Sequence, residues 1–109
     1  MSYTYKDNSK EILSAFDAAV LRGLTAIAMT AEGYAKKEAP VDTGRLRNSI
    51  ANAVDADEKA SYIGTNVEYA PDVELGTSRM AARPFLRPAA TEHGEEYKQI
   101  MEANMKGKE

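Results

Sequence analysis

Leu13, Phe16, Val20, Leu24, Ile27, Ala31 and Tyr34 follow one another in steps of three and four, the spacing that gathers apolar side chains on one face of an α-helix. Ile12 and Ala28 widen that stripe. Asn8 or Ser9 stands where a cap belongs, and Glu11 follows three residues after Asn8 in a capping-box arrangement. At the other end Lys36 and Lys37 suit the negative pole of the helix dipole. Pro40 marks the stop, because it drives residue 39 out of helical geometry. The pattern predicts a helix from about residue 9 to 38, roughly 45 Å long at 1.5 Å per residue. Gly23 and Gly33 weaken it by about 1 kcal/mol each relative to Ala, so packing of the stripe must hold it. One small core does not cover a helix of that length, which leaves apolar stripe for a neighbour.

The following elements are shorter. Pro40-Val41-Asp42-Thr43-Gly44 makes a turn in which Asp42 or Thr43 is placed to cap a short helical turn. Residues 49–54 alternate loosely, as a half-buried strand does, and Asp55 to Lys59 form a polar connection. Residues 61–67 then read as the returning strand of a hairpin. Tyr69 to Gly76 fits a short helix, with Pro71 in its first turn and Gly76 after its end. Thr77 to Arg83 reads as a loop or short strand, interrupted by Pro84. Phe85-Leu86-Arg87-Pro88 opens a last helix, where Tyr97, Ile100, Met101 and Met105 form the apolar stripe. Its acids Glu92, Glu95 and Glu96 come early and its lysines Lys98, Lys106 and Lys108 late, as the dipole favours. The predicted class is α+β, with a long N-terminal helix and a C-terminal helix packed on a small antiparallel sheet. The expected organisation is an N-terminal arm over 1–8, one domain over 9–106 and a frayed tail over 107–109.

Composition narrows the function. At 109 residues, with 43% apolar and 28% charged, the chain suits one soluble domain. Fourteen basic against 17 acidic residues give a net charge of -3, which disfavours generic coating of DNA. The absence of cysteine excludes disulfides, thiolate metal sites and a cysteine nucleophile. Met1 to Asp7 is polar and lacks the apolar core of a signal peptide. No uninterrupted run approaches the roughly 20 apolar residues of a membrane span.

Catalytic and metal chemistry find little footing. His93 is the single histidine and no G-x-S-x-G elbow exists. The plainer expectation for it is a helix residue paired with Glu92 or Glu96. Zinc would need one histidine and several carboxylates without a recognisable spacing. Asp55-Ala56-Asp57 begins like a calcium loop, but Lys59 and Ala60 stand where Asp or Asn and then Gly are required. Glu68, Asp72 and Glu74 offer paired carboxylates for glycoside hydrolysis, with nothing in the sequence to raise either pKa. The arginines carry more. Arg79, Arg83 and Arg87 recur every four residues, so on a strand they share one face. Arg45 and Arg47 form a second pair. The set is either an anion or partner contact or a surface ion-paired with Glu68 and Glu74.

Three blocks together resemble a known family. Pro40-Val41-Asp42-Thr43-Gly44-Arg45-Leu46-Arg47-Asn48-Ser49-Ile50, then Tyr69-Ala70 with Val73-Glu74-Leu75-Gly76-Thr77, then Arg83-Pro84-Phe85-Leu86-Arg87-Pro88-Ala89 resemble the small gene-product-ten-like neck proteins of HK-type lambdoid phages. Leu75 departs from the pattern, since an aromatic is common there. The resemblance implies a non-enzymatic virion protein that joins head to tail, with no cofactor and no metal. It implies a homo-oligomeric ring, hexameric or dodecameric, at the head–tail junction after assembly in the host cytoplasm. The implied partners are other copies, head-connector and tail proteins, and the genomic DNA passing through the channel, with no membrane. The motif residues expected to matter are Pro40, Asp42, Thr43, Gly44, Arg45, Leu46, Ser49, Tyr69, Glu74, Gly76, Arg83, Pro84, Phe85, Arg87 and Pro88. Among them, Gly44 is read as permitting a tight backbone and Glu74 as bonding an arginine of the 79–87 stretch. Pro84 and Pro88 are read as stiffening the chain around Phe85. The alternative is a small nucleic-acid-binding protein using Arg45, Arg47, Arg79, Arg83 and Arg87.

Overall fold

The computed structural model describes residues 9–41 and 44–106. Asn8 as a cap, Asp42 and Thr43, the arm over 1–8, the tail over 107–109 and the side chains of Ser9 and Ile12 lie outside the described residues. In chain order the elements are α1 (Ser9–Glu38), α2 (Arg45–Ser49), β1 (Ala51–Asp55), β2 (Ala60–Gly64), α3 (Ala70–Leu75), α4 (Leu86–Thr91) and α5 (Gly94–Met105). This is the α+β arrangement that the periodicity predicts, and α1 stops where expected, at Glu38.

α1 is the spine. The two strands pair antiparallel with Ala51 opposite Gly64 and Asp55 opposite Ala60, and the hairpin lies along the helix. The Ser61 hydroxyl donates to the Leu24 carbonyl at 2.7 Å, and the Asn52 amide donates to the Glu32 carboxylate at 2.9 Å. The hairpin turn therefore points toward the start of α1. Within the turn, the Glu58 N–H donates to the Asp55 carboxylate at 3.0 Å. α5 runs antiparallel to α1 on its other flank. Tyr34 donates its hydroxyl hydrogen bond to Glu96, and the Arg22 guanidinium reaches the Asn104 carbonyl at 3.4 Å. Gly23 permits this approach, since a Cβ there would stand 2.5 Å from the Met101 sulfur. Its low helix propensity is the cost of close packing.

The core lies around the second half of α1. Ala35 and Ala39 are buried with Leu46, Ile50, Val67, Ala70, Phe85 and Ala89, and Phe85 is the largest side chain fully out of solvent. Alanines on the helix let the short elements approach its backbone.

Two sequence expectations change, and of the two readings of Thr77 to Arg83 the loop is the one that holds. Ser49 does not open a strand. It ends α2, where its hydroxyl donates back to the Leu46 carbonyl at 2.6 Å, and the ladder begins at Ala51. The stretch from Thr77 to Arg83 is a loop without strand, so the arginines do not line one strand face. The last helix is broken at Glu92–His93 into α4 and α5. His93 stacks on Tyr34, with ring centroids 3.5 Å apart and planes 2° from parallel, and it stands outside helical geometry at φ -122 and ψ 28. Tyr97 bridges the break by donating its hydroxyl to the Ala89 carbonyl. By length and mean hydropathy (1.3), the Leu13–Glu38 part of α1 is long and apolar enough to cross a membrane. No uninterrupted apolar run underlies this, since Asp17 and Arg22 interrupt the segment. Alanines supply much of the hydropathy, and the elements above pack over the face they form.

Candidate functional site

The three motif blocks meet at the end of the domain where α1 stops. Pro40 leaves α1, and Gly44 then takes φ 83 and ψ -6, a left-handed turn that glycine enters without steric cost. α2 follows with no side-chain cap from Gly44, and Leu46 drops into the core at 4% exposure. The Ser49 hydroxyl also bonds the Thr65 hydroxyl, whose oxygen accepts the Val67 N–H at 3.1 Å. In this way α2 is tied to the segment that leads into the second block.

That block begins with Tyr69, whose ring lies under the Arg45 guanidinium at 5.5 Å. Arg45 also pairs with Glu68 at 2.8 Å, both side chains well exposed, so the pair contributes little to stability. The Glu68 carboxyl is held below its ordinary value by its own backbone N–H and by Arg45. Among the described residues, this pair is where the expected arginine–carboxylate surface forms. Among the described residues, the structure shows no such pair at Arg47, Arg79, Arg83 or Arg87.

Glu74 does something different from the expectation. Its carboxylate accepts the backbone N–H groups of Phe85, Leu86 and Arg87 at 3.1, 2.9 and 3.1 Å. The partner is the N-terminus of α4, not a guanidinium. The first N–H groups of a helix have no partner within it, and a carboxylate placed there gains both the bonds and the dipole. Gly76 ends α3 at φ 78. A Cβ on it would stand 2.7 Å from the Ala82 nitrogen, so only glycine fits. The Arg83 N–H donates to the Val73 carbonyl at 2.8 Å. Phe85 is thus delivered to the core between exposed Pro84 and half-buried Pro88, with exposed Arg87 outside.

Pro40, Gly44, Arg45, Leu46 and Tyr69 line an open cavity of about 620 Å³, together with Asp72, Val73 and Met80. The sequence reading missed Asp72 and Met80 as part of this surface. Met80 arrives because the turn closed by Thr77 N–H to the Met80 carbonyl, 2.8 Å, folds the loop back, and no local pattern announces that. Among the described residues no cluster of acidic or histidine side chains has the arrangement of a metal site. Glu68 has its carboxylate on Arg45, and Glu74 has both oxygens on α4. His93 stands away from this end, stacked on Tyr34 and tilted against Tyr97 at 6.2 Å. The expected pairing with Glu92 or Glu96 is replaced by that stack, and Glu96 accepts from Tyr34 instead.

A protein-family model described as "Bacteriophage HK97-gp10, putative tail-component" matches residues 5–76 of the chain. No curated protein and no solved structure matches it.

Proposed function

The chain belongs to the HK97-gp10-like family of bacteriophage tail components, and from that premise we propose that it is a non-enzymatic virion protein that joins head to tail. In this reading copies form a ring at the head–tail junction, contact connector and tail proteins, and surround the channel that DNA traverses. The family match over residues 5–76 carries the proposal. The geometry supports it, because the motif residues are used to fix backbone. Gly44 and Gly76 set turns, Glu74 closes α3 on α4 and Phe85 anchors the core. They build one firm surface, with an open, largely apolar cavity between α2 and α3.

Electron microscopy of particles from a phage or prophage lacking this gene tests the role. Filled heads with separate tails, or tails of abnormal length, are expected. Intact infectious particles would overturn it. A second reading, DNA binding, is favoured by the exposure of Arg47, Arg79, Arg83 and Arg87. It requires affinity for duplex DNA that falls steeply with salt, and absence of binding at low salt removes it.

A further inference from the structure

The face of α1 that lies under α5 and the hairpin continues, uncovered, toward the start of the helix. Both covering elements stop short of it. α5 ends beside Arg22, and the hairpin turn meets α1 along a cavity lined by Asp17, Val20 and Leu21. Beyond them Leu13 is 61% and Phe16 48% exposed. Leu13, Phe16 and Val20 are spaced as the a, d and a positions of a heptad, the repeat by which two helices bury a common seam. On the same numbering Lys10 and Asp17, one heptad apart, both fall at e, and both are exposed. The g positions are Ile12 and Ala19, neither of which carries a charge.

This distribution chooses the partner and its direction. In a parallel pair, e faces g, and neither charge would find a complement. In an antiparallel pair, e faces e. A two-fold axis between residues 14 and 15 then sets Leu13 of each copy against Phe16 of the other. The same axis sets Lys10 of each copy beside Asp17 of the other, so both charge pairs are matched at once. We propose that the first three turns of α1 pair antiparallel with the same turns of a second copy of this chain, through Leu13 and Phe16, with Lys10 and Asp17 fixing the direction. A two-fold contact closes on itself, so it is separate from any head-to-tail contact that builds a ring and does not depend on the head–tail reading.

Sedimentation equilibrium of the full chain, from about 20 μM to about 1 mM, tests this; so short a seam is expected to associate with a Kd on the order of 0.1 mM. Lys10→Asp and Asp17→Lys should each weaken association about tenfold or more, with unchanged circular dichroism, because each places two like-charge contacts in the pair. Mixing the two variants should restore it, since their heterodimer has both pairs matched. A chain that stays monomeric to 1 mM overturns the proposal. So does association indifferent to both reversals, or a mixture that fails to recover. Binding to phosphatidylcholine vesicles that Leu13→Ser with Phe16→Ser abolishes, without self-association, assigns the face to a lipid surface and likewise overturns it.

Discussion

The two ends of α1 solve opposite problems with the same stripe. From Ala28 to Ala39 the helix buries alanines against shorter segments, and Phe85 with Leu46, Ile50 and Val67 fills the space between them. From Lys10 to Ala18 every described side chain is exposed, including Leu13 and Phe16 on that stripe. The chemistry of the stripe is apolar throughout, so the difference lies in what the rest of the chain brings to it. Small residues invite backbone to approach. Larger ones at the far end wait for a surface supplied from outside. An amphipathic pattern therefore states that a face will be covered, not by which chain.

Substitutions at the two ends should separate accordingly. Phe85→Ala empties the largest buried site and should cost about 3–5 kcal/mol, enough to lower the thermal midpoint by tens of degrees or to unfold the chain. A loss under about 1 kcal/mol would mean that the motif end is not the stability centre. Glu74→Gln keeps one acceptor oxygen and turns an NH2 toward the start of α4. The expected loss is about 1.5–3 kcal/mol in denaturant unfolding. Gly33→Ala meets open space and should stabilise α1 by up to about 1 kcal/mol. Phe16→Ala should change monomer stability by less than about 0.5 kcal/mol, and a cost like that of Phe85 would erase the contrast between the ends.

The smallest effect is in pH. Because the folded Glu68 carboxyl titrates below its ordinary value of 4.5, its stabilising contribution is full above that value. It is lost as pH falls through the lower folded value. Glu68→Gln should therefore lower the melting temperature slightly near neutral pH and converge on the wild type once the pH falls below the lowered folded value. A gap that persists in acid would mean that packing, not charge, distinguishes the two.

What the sequence made legible follows the range of the interactions. The C-terminal end of α1 comes from local signals, namely dipole-matched lysines and Pro40, and it appears in the structure at Glu38. The hairpin and α3 are equally local, and Phe85 reads as an anchor from its setting between prolines. The short helical turn of α2 follows from Pro40 to Gly44, but Ser49 reads as the start of the strand because the back-bond that ties it into the helix leaves no pattern. The break at Glu92–His93 is tertiary, since its ring partner Tyr34 lies 59 positions away along the chain. Glu74 teaches the most about the motif site. Charge patterning matches acids to bases, but its partners are three backbone N–H groups, which no residue type encodes. The acid and its distance from Pro84 were visible, and the helix terminus between them was not.

The clasp at Glu74 has one more consequence. Residues 76–83 leave α3 and return to the same place, where the Arg83 N–H meets Val73 and the carboxylate receives the start of α4. Closure is achieved at the base, so the tip around Ser78 and Arg79 answers mainly to its own small turn. Over generations such a tip is free to drift in sequence and to lengthen, since each doubling of a loop adds only about 0.6 kcal/mol of closure entropy. A lineage can thus refit what this loop touches while inheriting the frame unchanged.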